Sequence, residues 1–334
     1  MARRTNLGLL LLLVAAFVTG TLGLMTATAL SRLTLIAHGV AAFALLALAR
    51  PKLAVVRRGL RRHVWTRWGS LLFAVLLAAS MTFGLLHSSG AVRELRGYTT
   101  LAWHIALALA LIPVALWHAL ARRTRPRTTD LGRRSLLRAG LVVGGGAVVY
   151  TASEMTLRVA ALPGAGRRFT GSYDSGSRDP QGMPVTQWLL DDVPRIDPAT
   201  HVLTVRAGGA ERSWSMTELA RFDDAVRCVL DCTGGWFAEQ EWRGAWLHRL
   251  LAGSGDARSL EVRSLTGYSR RFAVDEASRL LLATTAGGRP LDAGHGAPLR
   301  LVAPDRRGFW WVKWVSAVEL SALPSWWQPP FPLR

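Results

Sequence analysis

Five apolar stretches, roughly 7–30, 33–49, 69–89, 99–121 and 139–157, fill most of the first 157 residues. They leave that half few ways to fold. A bilayer core asks for about 20 apolar residues per spanning helix. It offers no water to the backbone, so each segment must bond its own N–H and C=O groups as a helix. The second stretch is short, and the fifth holds Gly144-Gly145-Gly146. The first has no convincing cleavage site and reads as an anchor rather than a removable signal. The expectation is an all-α transmembrane bundle of four helices within 1–122, with a fifth span closing the segment 123–168.

Charge agrees with that division. Residues 1–156 carry nineteen Lys and Arg against three Asp and Glu, whereas the remainder carries twenty-two against nineteen. A pI near 11.5 would ordinarily suggest nucleic acid as a partner. Here the cations lie in short loops between apolar runs, which is a membrane pattern, and no nucleic acid is expected. Arg3 and Arg4 precede span one. Seven cations from Arg50 to Arg67, including Lys52, follow span two, and seven arginines from Arg122 to Arg138 follow span four. The alternate loops hold only Arg32, then Arg93 and Arg96. The positive-inside rule places the N-terminus in the cytoplasm and everything after span five outside it. Arg133-Arg134 before the fifth apolar run also resembles a twin-arginine export signal, although topology alone accounts for the same residues.

Four histidines fall within or at the ends of spans: His38, His87, His104 and His118. Ionisable groups at membrane depth are costly and usually functional. His104 and His118, fourteen residues apart, return to nearly the same helix face about 21 Å apart. This resembles the diheme b-type cytochromes, incompletely. His38 and His104 lie at similar depth and form the better pair for one haem b, with His87 as the substitute. His118 lacks a partner because Phe73 stands opposite, and His63 in the basic loop is a poor candidate. Interhelical hydrogen bonding is the plainer role for all of them.

Residues 169–334 read as an ordinary α+β domain. Alternating strands are expected at 201–206, 226–230, 260–264 and 299–303, and helices at 215–221, 246–252 and 275–282. The cysteines are Cys228 and Cys232 alone. Strand positions four apart lie about 13 Å from each other, so both are read as free thiols, Cys228 in the core and Cys232 at a strand end.

Cys232-Thr-Gly-Gly-Trp236 is followed by Trp242-Arg-Gly244, and later by Gly267-Tyr268 and Leu281-Leu282-Ala283-Thr284. His295-Gly296-Ala-Pro298-Leu-Arg300, Gly308 and Lys313-Trp314 complete the series. A thiolate suits a soft metal, and His, Arg and Lys suit the phosphate of an anionic cofactor. In order and spacing these blocks resemble the sulfite-oxidase-like molybdopterin oxidoreductases over roughly 170–328. The resemblance implies that Cys232 binds molybdenum and that His295, Arg300 and Lys313 hold the pterin phosphate, with Gly308 and Trp236 beside the cofactor. Tyr268 is the further catalytic candidate, and Tyr173 and Arg270 are candidates for the substrate side. Each residue alone also has a plain reading, as core thiol, turn, packed ring or solvated cation.

The family's sulfite-gripping Arg-Asn-His is absent from Phe169-Thr-Gly-Ser-Tyr173. The insert after the metal cysteine is also missing, as in the bacterial periplasmic methionine sulfoxide reductase subunits. Sulfite is therefore not expected. The chain stops at Arg334 without the dimerisation domain, which implies a monomer. The combined expectation is an inner-membrane molybdopterin-dependent oxidoreductase acting outside the cytoplasm, with its substrate and direction left open and a small-molecule or protein sulfoxide among the candidates. It would exchange electrons with a quinone or another membrane carrier through a haem. The alternatives are a catalytically silent pterin-binding or structural protein, and a haem-free anchored enzyme.

Overall fold

The apolar runs form five long helices in the computed structural model, which describes residues 2–62, 67–121, 127, 130, 132–188, 191–251, 253 and 255–332. They are α1 (Ala2–Met25), α2 (Ala29–Arg62), α3 (Arg67–Ser89), α4 (Thr100–Ala121) and α5 (Arg133–Val159). Among the described residues, all five contain a stretch long and apolar enough to cross a membrane. His63, Arg122, Arg123 and Arg125 lie outside the described residues. Arg133 and Arg134 are exposed at the first turn of α5.

The chain divides into two units, Met1–Leu24 with Ala29–Gly171, and Met25–Thr28 with Ser172–Arg334. In the first, α3 and α4 form an antiparallel hairpin closed by β1 (Glu94–Leu95) and β2 (Tyr98–Thr99). Gly144-Gly145-Gly146 is not a linker but the middle of α5. A Cβ on Gly146 would lie 2.7 Å from the Val40 carbonyl oxygen on α2. Small residues of this kind let two membrane helices approach backbone to backbone.

The second unit is built on two sheets. The first holds β3 (Tyr173–Asp174), β6 (Asp224–Asp231), β7 (Trp236–Trp246), β10 (Leu281–Ala286), β11 (Arg289–Pro290) and β12 (Arg300–Val302). Its long strand β7 pairs antiparallel with β6 and β10 and parallel with β3. The other sheet runs β5 (Ala210–Ser215), β4 (Val202–Ala207), β13 (Val315–Ser321), β8 (Ser259–Ser264), β9 (Ser269–Ala273), with β4 and β13 parallel. All four expected strands are present within a residue or two. The helix expected at 215–221 is α6 (Met216–Leu219), a single turn closed by a Ser215–Glu218 capping box. Those expected at 246–252 and 275–282 are not α-helices. The chain there forms 3₁₀ turns, Leu247–Arg249 and Val274–Ser278, and Leu281 already belongs to β10. Leu281, Leu282 and Ala283 are all buried, because both faces of this central strand are covered. An apolar run without alternation does not separate strand from helix by pattern.

Along β7 the buried positions alternate through Trp236, Ala238, Gln240 and Trp242. Gln240 is tolerated there because its Nε2 donates to the Gly176 carbonyl at 2.5 Å. Gly244 faces β10 so closely that a Cβ would lie 2.0 Å from the Leu282 carbonyl oxygen. Gly244→Ala should therefore force the β7–β10 pairing apart. We expect a loss of about 3 kcal/mol or more, at the upper end for overpacking, seen as a lowered midpoint in thermal unfolding of the purified protein. A wild-type midpoint would contradict this register.

Candidate active site

Cys232 is the first residue after β6 and opens the turn into β7. Its N–H donates to the Trp236 carbonyl at 2.8 Å, and its own carbonyl accepts from Gly235 N at 3.2 Å. The Gly234 N–H points back at Cys232 Sγ, 3.3 Å away. Both cysteines are free, Cys232 buried and Cys228 partly so. Burial pushes the Cys228 thiol up to about 12, which makes it an inert packing group. Burial also raises Cys232, but there the Gly234 N–H, Arg307, Thr186 and Lys313 pull toward the thiolate.

One cavity brings Cys232 together with Trp236, Tyr268, His295, Arg300, Gly308 and Lys313. Its cations come from two segments. His295 ends the 3₁₀ turn Ala293–His295, and its Nδ1 donates to Asp292 Oδ1 at 2.8 Å. This fixes the ring and leaves Nε2 buried without a partner. Burial alone would raise the Asp292 carboxyl, but the hydrogen bonds from His295 outweigh it and hold it below its ordinary range. Arg300 opens β12, 2% exposed, near the Trp242 and Trp311 rings at 5.1 and 5.6 Å. Its Nη1 donates to the His295 carbonyl at 2.9 Å, while Nε is buried and unpartnered. Burial lowers the guanidinium to about 10. Lys313 Nζ donates to the carbonyls of Gly294 (2.6 Å) and Thr186 (2.9 Å) and to Gln187 Oε1 (3.2 Å). Burial, then Arg300, lowers it to about 7. Among the described residues neither Arg300 nor Lys313 has a carboxylate within ion-pair distance.

The remaining residues have narrower roles. Trp236 Nε1 donates to Thr186 Oγ1 at 3.0 Å, so it holds the cavity wall. Tyr268 donates its hydroxyl to the Phe309 carbonyl, and burial raises its pKa; its proton is already committed. A Cβ on Gly308 would lie 3.1 Å from Cys232 Cα, so only glycine lets that loop lie against the thiol. Tyr173 is buried in β3 and does not line the cavity. Arg270 lines a separate hollow with Trp327 and Gln328. Thr186, Asp191, Asp292 and Arg307 were not legible as site residues. Asp292, three before His295, carried a weak signal as its orienting carboxylate.

A family model described as an oxidoreductase molybdopterin binding domain matches residues 190–327. The chain carries an oxidoreductase molybdopterin-binding domain. This domain is sulfite-oxidase-like. It is 29% identical over 175 residues to mitochondrial sulfite oxidase of Rattus norvegicus and 28% identical over 175 residues to that of Mus musculus, covering 41% of this chain in each case. The chain spans 32% of the length of these curated relatives. The sulfane dehydrogenase SoxCD from Paracoccus pantotrophus aligns over 39% of this chain and 40% of its own, at 22% identity and a TM-score of 0.37.

The cavity of the molybdopterin domain fits an anionic cofactor. It holds the orphaned Nε2 of His295, the orphaned Nε of Arg300 and a lysine that burial has stripped of its charge preference. Among the described residues no three His, Cys, Asp or Glu side chains converge, so a metal at Cys232 would take its other ligands from the cofactor.

In the first unit the rings of His38 and His104 lie 5.9 Å apart between centroids, at 82° to each other. His38 Nδ1 donates to the Ala16 carbonyl at 2.8 Å, and His104 Nδ1 to the Ser80 carbonyl at 2.7 Å. His87 Nε2 donates to the Gly171 carbonyl at 2.8 Å, and its Nδ1 lies 3.4 Å from Thr100 Oγ1. His118 stacks on Phe73 at 4.9 Å with Ser70 Oγ 3.3 Å from its Nδ1.

Lys313 gives the site a pH signature. Its folded value, about 7, lies below the ordinary 10.5, so between those values the unfolded chain holds a proton that the folded chain lacks. This group's contribution to stability therefore rises with pH from about 7 to about 10.5. An anion bound beside it restores the proton, so anion affinity should fall above pH 7, by up to about tenfold per unit. In cofactor-free protein, the stability of wild type relative to Lys313→Met should increase between about pH 7 and pH 9, while binding of a phosphate monoester weakens. A pH-independent difference in thermal unfolding would contradict the assignment.

Proposed function

We propose that this chain is a membrane-anchored molybdopterin-dependent oxidoreductase that acts outside the cytoplasm and exchanges electrons with a membrane carrier. One observation carries the reading: the buried Cys232 thiol shares a cavity with His295, Arg300 and Lys313 inside a molybdopterin-binding domain. Cys232 would be the metal's protein ligand. His295, Arg300 and Lys313 would hold the pterin phosphate, for which His295 Nε2 and Arg300 Nε are open. Lys313 would exchange one of its neutral acceptors for a phosphate oxygen. Molybdenum in its pterin supplies two-electron, oxygen-atom chemistry.

A sulfoxide-type substrate suits the cavity wall. Trp188, Trp236, Tyr268, Phe309 and Trp311 present aromatic faces, which favour a neutral sulfur compound over a doubly charged sulfite. Reducing a sulfoxide consumes two electrons and two protons and yields a thioether and water.

His38 and His104 are the proposed haem b ligands. Donation of Nδ1 to a carbonyl fixes each tautomer and leaves Nε2 for a metal. Their rings lie 5.9 Å apart between centroids, on two different helices of the same unit. Bound there, a haem supplies one-electron exchange with a quinone or another carrier. The basic loops support an N-terminus inside and the molybdopterin domain outside.

Metal analysis and an absorption spectrum test the reading together. Purified membrane protein should contain molybdenum and show a dithionite-reduced b-type haem band. His38→Ala or His104→Ala should abolish the band and leave molybdenum in place. Cys232→Ser should retain pterin but lose activity by more than about 100-fold, beyond the usual cost of an outer-shell change. Molybdenum-free wild type, or an active Cys232→Ser enzyme, would overturn the proposal.

A further inference from the structure

Next to Cys232, outside the residues that line the cavity, lies a buried ionic cluster. Arg307 and Asp231 are both 0% exposed. Arg307 Nη1 donates to Asp231 Oδ1 at 2.8 Å, and Nη2 donates to the Cys232 carbonyl at 3.0 Å. Ser172 Oγ, also fully buried, lies 2.6 Å from Asp231 Oδ1 and 3.4 Å from the Cys232 carbonyl. A backbone bridge joins Asp231 to Arg307 in parallel. Gly308 then continues directly against Cys232 Cα.

Stability alone does not explain this arrangement. Removing two charges from water costs several kcal/mol per ion, and well-packed apolar residues of equal volume often serve a fold as well or better. Directional bonds are what the ionic version adds. The bonds converge on one peptide unit, that of the residue expected to bind the metal. The Cys232 carbonyl accepts from Arg307 Nη2, while Arg307 Nη1 is held on the Asp231 carboxylate that also takes the Ser172 hydroxyl proton, and Cys232 Sγ accepts from Gly234 N–H. These bonds leave the Cα–Cβ–Sγ arm little freedom. Partners behind a metal ligand commonly set its orientation and tune the metal.

We infer that Arg307, Asp231 and Ser172 form a positioning clamp that fixes the Cys232 sulfur in the orientation the metal requires and thereby sets the metal's electronic environment. The inference rests on the molybdenum reading of Cys232 proposed above. These are positioning residues: none of the three lines the cavity.

The test uses the full-length, cofactor-loaded protein and two variants. Arg307→Lys keeps the charge but replaces the planar fork that bonds Asp231 and the Cys232 carbonyl through separate nitrogens with a single ammonium nitrogen. Ser172→Ala removes one hydroxyl and nothing else. Expected for Arg307→Lys is a 10- to 100-fold fall in kcat, the range found for outer-shell partners of metal sites, and for Ser172→Ala a smaller fall. KM should stay unchanged, because the aromatic wall is untouched. Both should shift the g-values of the Mo(V) electron paramagnetic resonance signal and the thiolate-to-molybdenum charge-transfer band, at an unaltered haem spectrum. Loss of molybdenum from a variant that still melts like wild type also supports the clamp. Should Arg307→Lys fail to fold, Ser172→Ala decides. Loaded variants with wild-type Mo(V) spectra and kcat would overturn the clamp while leaving the enzyme assignment intact. Wild type without molybdenum would instead overturn that assignment.

Discussion

Positive charge buried around one sulfur atom, with too little negative charge to balance it, is the constraint on which the molybdopterin domain depends. Arg300 is buried beside the Trp242 and Trp311 rings, and Lys313 donates to neutral carbonyls. Burial weakens the hold of both on their protons. A cation removed from water without a partner is costly unless something anionic arrives. The cofactor phosphate is the group that would settle this imbalance. The sheet around the site, with β7 at its centre, gives the rigidity needed to keep such charges from relaxing toward solvent.

Two kinds of buried cation lie near Cys232. Among the described residues, Arg300 and Lys313 in the cavity have no carboxylate within ion-pair distance. Outside the cavity lining, Arg307 is paired with Asp231, which also accepts from Ser172. Gly308 follows Arg307 directly and lines the cavity so near Cys232 that an added Cβ would lie 3.1 Å from its Cα.

In the helical unit, close helix approach depends on small residues. Gly146 admits the α2 backbone, and Gly39 on α2 lies flat beneath the Tyr150 ring. Gly20 and Gly84 do the same for the rings of His38 and His104, whose nearest atoms would stand 3.1 Å from an added Cβ. Side chains larger than glycine at these two positions would displace the imidazoles from their carbonyl acceptors.

The five spans, the basic loops and the ordered Cys, His, Arg and Lys blocks are all legible in the residues themselves. Apolar length and charge act locally, and the blocks depend only on order and spacing. The long strand β7 was hidden because Gln240 interrupts its apolar alternation, and its acceptor, Gly176, is remote in sequence. The strand at Leu281–Ala286 was mistaken in part for helix because burial of both faces erased its period. Nothing in the sequence marks Arg307 and Asp231 as buried, since a charged residue is ordinarily exposed. Their burial depends on each other across 76 positions of chain. By itself the sequence determined which segments are apolar enough for a membrane and which side chains can bind a metal and a phosphate. Only the tertiary structure decided which of those side chains share a cavity, which charges are left unanswered and which carbonyl a distant arginine holds. These depend on distances between residues far apart in the chain, and such distances exist only once the sheets have formed.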